Sequence, residues 1–297
     1  MEDKISIALT NDGALRVYAA VTTSLVSEAQ RLHNSYPIAT AALGRTLTAA
    51  AMMGAMLKND AGSITVQFKG DGPLGTILAV TTANSEVRGY VANPDVELPL
   101  KQNGKLDVGT GVGKNGFLNV VRDSGVGQPY TGQVELATGE IAEDLTYYYA
   151  ISEQIPTAMA LGVLVDVDLS AKAAGGFMIQ LMPGTGLDDE NIIDTIEAHL
   201  KTIPSVSEMI DSGIDAEGII EKIMGELEYN ILDERTPTYK CNCSTARVEG
   251  ALISIGASDL QSLIDEQNGT TVDCSFCDRK YVFSANDIEN LLKKCSK

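Results

Sequence analysis

Two β-prone runs, residues 4–9 and 14–21, flank Asn11-Asp12-Gly13. That spacing predicts a hairpin, because Asp and Gly both tolerate positive φ in a tight turn. Helical periodicity follows over 24–34. After Pro37 an Ala/Thr/Met/Gly stretch running to Leu57 predicts a second helix, with small residues for close packing and methionines as core filler rather than a client surface. Three strand-length segments come next, Ser63–Lys69, Gly75–Thr82 and Glu86–Ala92, with turn residues at 70–73 and at Asn84-Ser85. Residues 93–128 are irregular and glycine-rich apart from a short strand at Phe117–Arg122. Tyr130–Ala137 reads as a strand and Glu143–Gln154 as a helix. Met159–Asp168 and Ala173–Met182 read as two more strands, with Asp168-Leu169-Ser170 turning between them. The regular β-α-β alternation of a doubly wound parallel sheet is missing, so residues 1–185 are expected to form a mostly antiparallel sheet domain with packed helices.

The pattern changes at Gly186. Three short amphipathic helices are expected, over Asp189–Lys201, Ser205–Ser212 and Asp215–Glu228. Ile192, Ile193, Ile196 and Leu200 share a face, as do Ile219, Ile220, Ile223 and Leu227. Acidic residues at 188–190 and at Asp215 and Glu217 fall where helix N-termini favour negative charge. Residues 186–240 hold fourteen acidic and four basic residues, a net of −10 out of −18 for the whole chain. The stretch 186–236 is therefore expected to be an acidic helical linker. An ordinary solvated linker fits this pattern. So does a self-repelling, marginal segment that folds only while its apolar faces have partners. The sequence leaves both open.

From residue 237 the charge nearly balances. Arg247–Ser254 reads as a strand or the start of a helix, and Ser258–Gln261 as a capping box opening a helix through Leu263 and Ile264. Asn268-Gly269 is a turn, Thr270–Asp273 and Lys280–Phe283 are strands, and Ser284 caps a last helix with Ile288, Leu291 and Leu292 on one face. Few large apolar residues lie here, and small domains of that kind need a metal or a disulfide to fold. Residues 237–297 are thus expected to be a small third domain, which makes the fold class α+β overall.

The charge of −18 argues against nucleic acid as a partner, since such a surface repels phosphate backbones. The N-terminal residues lack the basic and apolar regions of a signal peptide. Arg45 interrupts the longest weakly polar run, which is expected to be a buried helix and not a membrane span. A cytoplasmic protein is expected, and in that compartment paired cysteines usually serve metal or redox chemistry. Gly111-Val-Gly113-Lys-Asn-Gly116 matches a dinucleotide fingerprint but lacks the preceding strand and following helix, so its glycines are read as turn residues. His33 and His199 belong to no nucleophile motif, and Glu153 is read as a structural carboxylate at a helix end. No active site is assigned.

Four of the five cysteines form two close pairs, Cys241-Asn-Cys243 and Cys274-Ser-Phe-Cys277, separated by a domain-sized insert. Two thiol pairs so arranged match a four-thiolate zinc site holding one ion per chain. The same atoms are oxidisable, and a disulfide across the C-x-C pair would close a strained, reducible ring. Cys295 has no close partner and receives no role.

The cysteine spacing, placed after a mixed domain and an acidic helical segment, resembles the redox-regulated heat-shock holdase (33-kDa chaperonin) family. Residues 42–45 (Ala-Leu-Gly-Arg), 72–75 (Gly-Pro-Leu-Gly), 152–156 (Ser-Glu-Gln-Ile-Pro) and 175–184 (Gly-Gly-Phe-Met-Ile-Gln-Leu-Met-Pro-Gly) are similar to that family as well. The resemblance covers essentially the full length. It implies an ATP-independent chaperone, not an enzyme, inactive while reduced and zinc-bound. It further implies disulfides Cys241–Cys243 and Cys274–Cys277 on oxidation, zinc release, unfolding of the linker, formation of a homodimer and capture of unfolding client proteins under oxidative and heat stress. The magnitudes make such a switch physically reasonable. A structural zinc site contributes about 10–16 kcal/mol of apparent binding free energy. Disulfides closing loops of three and four residues return only about 1.5–2 kcal/mol each. A constitutive zinc-binding interaction module remains an alternative. A dithiol oxidoreductase using Cys274 and Cys277 is a weaker one, since the thioredoxin-like β-α-β context is missing.

Overall fold

The computed structural model describes residues 1–183, 196 and 198–295. The chain divides into two compact units, 1–240 and 241–297.

In the first unit, β1 (Lys4–Thr10) and β2 (Leu15–Val21) form the expected hairpin. Asp12 Oδ1 accepts bonds from the Thr10 hydroxyl at 2.5 Å and the Ala14 amide at 2.9 Å, and Gly13 takes φ +75°. Helix α1 (Thr23–His33) leads to α2 (Pro37–Gly54), which Pro37 opens at a position where its missing N–H costs nothing. Strands β3 (Ser63–Lys69), β4 (Thr76–Thr82) and β5 (Glu86–Val91) follow, then a five-residue helix α3 (Val108–Val112). Next come β6 (Phe117–Asp123), β7 (Tyr130–Glu135), α4 (Ile141–Tyr148) with a π-helical turn at Tyr149–Glu153, β8 (Thr157–Val165) and β9 (Ala171–Leu181).

These strands build two sheets. The five-stranded one runs β10-β1-β2-β9-β8 and is antiparallel throughout. The six-stranded one runs β11-β5-β4-β3-β6-β7, with only β11 parallel to its neighbour. Helix α2 packs against strands of both sheets and is buried over nearly its whole length. Its alanines and glycines permit that approach; a Cβ on Gly54 would lie 2.4 Å from Thr81 Oγ1. Met52 and Met53 are fully buried, as core filler should be. No helix among the described residues is long and apolar enough to cross a membrane.

The acidic segment departs from its expected form. Helices α5 (Val206–Asp211) and α6 (Ala216–Met224) match two of the three expected, and the first, over 189–201, lies mostly outside the described residues. Ser205 and Glu208 form a capping box on α5, and Asp215 caps α6 by accepting from the Gly218 amide at 2.8 Å. Ile219, Ile220 and Ile223 are buried as the periodicity requires. Leu227 is not, because Gly225 at φ +58° ends the helix first. The chain then forms two unexpected strands. β10 (Tyr229–Arg235) pairs with β1, and β11 (Thr238–Tyr239) pairs with β5. The segment read as a separate linker thus contributes an edge strand to the five-stranded sheet, and the first residues of the segment read as a third domain contribute one to the six-stranded sheet.

Apolar side chains of the five-stranded sheet point to two faces. Ile5, Ile7, Tyr18, Ala20 and Met178 join the core around α2. Val17, Ala19, Val21, Phe177 and Ile179 face the other way, where they pack with Met209, Ile210, Ile219, Ile220 and Ile223 of α5 and α6. β9 is accordingly buried on both faces along nearly all its length.

The second unit holds α7 (Thr245–Ser254), α8 (Ala257–Gln267), a hairpin of β12 (Gly269–Asp273) and β13 (Lys280–Ser284), and α9 (Ala285–Cys295). Its core is Leu252, Leu260, Tyr281, Phe283, Ile288 and Leu291. Ser284 and Asp287 cap α9 reciprocally, as expected of Ser284. The capping box at Ser258 is absent, because Gly256 starts α8 earlier and places Ser258 inside its first turn. The side chain of Cys295 lies outside the described residues.

Candidate metal centre

Two short pieces of backbone carry the four sulfurs. Cys241 and Cys243 lie on the extended chain just before α7, where the Ser244 hydroxyl accepts from the Arg247 amide at 3.3 Å and fixes the helix start. Cys274 and Cys277 lie in the turn between β12 and β13. The Cys274 carbonyl accepts from the Cys277 amide at 3.2 Å and the Asp278 amide at 2.8 Å, and the Cys274 amide donates to the Arg279 carbonyl at 3.0 Å. Asp278 takes φ +55° to close this knuckle. Cys274 and Cys277 therefore sit in a strand–turn–strand element, not at the helix N-terminus a dithiol oxidoreductase would use.

All four Sγ atoms lie within 4.8 Å of one another, with Cys241–Cys274 at 3.6 Å and Cys243–Cys277 at 3.5 Å. Four sulfurs at about 2.3 Å from a common tetrahedral centre would be about 3.8 Å apart, so the donor set could hold a metal ion of zinc's size and softness. None of the four is in a disulfide, and each is half-buried.

The surroundings treat the thiols unequally. Burial pushes Cys241 up to about 12 and also raises Cys277. Burial opposes ionisation of Cys243 too, but hydrogen bonds from Tyr281 and the neighbouring thiols outweigh it and bring that group down to about 7. The Tyr281 hydroxyl donates to Cys243 Sγ at 3.1 Å. Arg279 sits beside the Tyr281 phenol and the charges of Cys243 and Cys277. Tyr281 and Arg279 are thus part of this site, although Lys280–Phe283 had read only as a strand. The signal available was their position, two and four residues beyond a ligand pair.

The other polar candidates have structural partners. His33 Nε2 lies 2.9 Å from the Gly89 carbonyl and 3.1 Å from the Tyr239 hydroxyl, and His199 Nε2 donates to the Lys222 carbonyl at 2.8 Å. Glu153 accepts from the Tyr148 hydroxyl at 2.5 Å and pairs with Arg122 at 3.5 Å, which anchors the π-helical turn. Gly111 closes a helix and Gly116 precedes a strand, the reverse of a dinucleotide site. Here the glycines let the chain pass close to the turn at 70–72.

The sequence profile of the family described as Hsp33 protein matches residues 3–284. The chain is 48% identical to the 33 kDa chaperonin of Clostridium perfringens (strain SM101 / Type A), covering 100% of this chain and 93% of that protein. It is 47% identical to the 33 kDa chaperonin of Geobacillus sp. (strain WCH70), covering 98% and 97%. The crystal structure of the 33 kDa chaperonin of Thermotoga maritima superposes with a TM-score of 0.91 at 37% identity, over 100% of both chains.

Proposed function

The chain belongs to the Hsp33 family of chaperones, and from that premise we propose that it is a redox-switched, ATP-independent holdase of the cytoplasm. The observation that carries this reading is the double cover on the five-stranded sheet. One face is buried under α2, a helix with almost no charge. The other is buried under α5 and α6, which belong to the most acidic stretch of the chain. Lifting the acidic helices would bare Val17, Ala19, Val21, Phe177 and Ile179, a continuous apolar surface of the kind that captures unfolded chains.

In the reduced state Cys241, Cys243, Cys274 and Cys277 would hold one zinc ion, which supplies the folding energy that six buried apolar residues do not. Tyr281 and Arg279 support the anionic sulfurs. On oxidation Cys241 joins Cys243 and Cys274 joins Cys277. Four thiolates give up four electrons to two molecules of peroxide, which take up four protons and leave as four waters. The sulfurs no longer form a ligand set, so zinc is released and the second unit unfolds. The acidic segment then opens and the protein binds clients as a homodimer. None of these steps is catalytic.

Aggregation of a heat-unfolded client tests the reading, with the protein either reduced or treated with peroxide at elevated temperature. Protection by the oxidised form alone is expected. Equal protection in both states would instead mark a constitutive zinc-binding interaction module. Zinc and free thiols measured in parallel should show one zinc lost per chain as four thiols disappear.

A further inference from the structure

A cavity of about 650 Å³ lies within the first unit. Its walls come from β2, the loop after α2, the β4–β5 turn and β10. In a chain of net charge −18 it gathers three cations, Arg16, Lys58 and Arg235, against two carboxylates, Asp60 and Asp233. Only Arg235 is neutralised, by Asp233 at 2.9 Å, with its other arm donating to the Ala83 carbonyl at 2.9 Å. Neither Arg16 nor Lys58 has an ion-pair partner among the described residues.

Two polar atoms in the same wall are left over. The Ser85 hydroxyl and Arg16 Nε are both buried, and neither has a hydrogen-bond partner among the described residues. Ser85 is 1% exposed, and its backbone is held at φ +57°, a conformation that side-chain-bearing residues seldom adopt. A buried hydroxyl without a partner carries a desolvation penalty that native folds rarely leave uncompensated. The Tyr18 phenol is raised by burial and pulled the other way by Arg16 and Arg235, which places both guanidiniums around it. Met56, Leu57 and Leu232 add apolar surface to the same cavity.

We propose that this cavity binds a small organic oxyanion, its phosphate or carboxylate group held by Arg16, Lys58 and Arg235 with a hydrogen bond from Ser85, and its apolar body against Met56, Leu57 and Leu232. Guanidinium forks suit both oxyanions, and a partly desolvated site strengthens the contact. Because Arg235 and Leu232 belong to β10 while Arg16 belongs to β2, the bound anion fastens the edge strand of the acidic segment to the body of the sheet. Occupancy then stabilises that strand by mass action.

The test uses the full-length, reduced, zinc-loaded protein and two probes, phenyl phosphate and phenylacetate, titrated by calorimetry at constant ionic strength with chloride as control. Saturable one-to-one binding of at least one probe is expected, and the probe that binds identifies the oxyanion. Arg16→Gln should weaken it about tenfold or more, the loss expected for a charge-assisted contact. Lys58→Gln, on an exposed side chain without a partner, should weaken it by a smaller factor and leaves the assay readable should Arg16→Gln fail to fold. Hydrogen exchange should slow in residues 229–235 when the probe is bound. Absence of saturable binding by both probes at millimolar concentration overturns the proposal, as does binding that Lys58→Gln leaves unchanged. Neither result touches the redox reading, which rests on the cysteines and the acidic helices.

Discussion

The two units of this chain solve the same problem with different chemistry. The first, over 240 residues, has two large clusters of buried apolar side chains and no cysteine. The second, of 57 residues, has six buried apolar side chains among the described residues and all five cysteines. Burial scales with size, so the larger unit can draw far more of its stability from packing than the smaller. The smaller also carries four thiols whose sulfurs lie within 4.8 Å of one another, atoms that a mild oxidant can change. What the difference teaches is that one chain can join a part built around a large core to a small part built around clustered, oxidisable thiols.

The largest test of that contrast is removal of the metal. Chelation of the reduced protein, or Cys274→Ser, should forfeit most of the roughly 10–16 kcal/mol such a site supplies. Hydrogen exchange should then show protection lost over residues 241–295 and kept across β2 and β9. A second unit that stays protected without metal would erase the distinction. Next in size is Ile220→Asp, which puts an unpaired carboxylate at a fully buried position on α6 and should cost about 3–5 kcal/mol. The expected readout is client protection by the reduced protein, with zinc still bound. Leu47→Ala, at a fully buried position in α2, should cost about 2–5 kcal/mol through the cavity it leaves. It should lower the main thermal transition while the zinc content stays at one per chain.

The smallest expected effect belongs to Lys4, which bridges Glu217 of α6 at 2.7 Å and Glu234 of β10 at 2.6 Å. The pair is substantially exposed, so Lys4→Gln should cost less than about 1 kcal/mol and still less in high salt. Its pH dependence has a definite sign. Hydrogen bonding to Lys4 holds the Glu217 carboxyl below its ordinary 4.5. The stabilisation is therefore complete above pH 4.5 and lost as pH falls through that lowered value. The difference in Tm between the wild type and Lys4→Gln should shrink towards zero on acidification.

What could be read in advance follows from the range of the forces involved. The first hairpin was legible because Asp12 and Gly13 act within three residues, and α2 because its composition suits a helix flanked by sheets. β10 was not legible. Asp233-Glu234-Arg235 shows no alternation, and the strand exists because β1 offers a backbone ladder from more than two hundred residues away. The cysteine set was legible because thiols are rare and their spacing is short. The role of Tyr281 was not, since only the folded knuckle brings its hydroxyl to Cys243. Nor was the oxyanion cavity, whose three cations are scattered over 219 positions of sequence and converge only in space.

The pairing of β1 with β10 also sets a clock. Strand β1 leaves the ribosome early, but its outer neighbour is not made until residue 229, and contacts so distant in sequence form slowly. At roughly 5–20 residues per second, the nascent chain spends about ten seconds or longer with that edge unpaired. The segment that closes the sheet and the cysteines that follow it are made last. During synthesis, the molecule passes through a form whose apolar sheet face has no acidic helices over it.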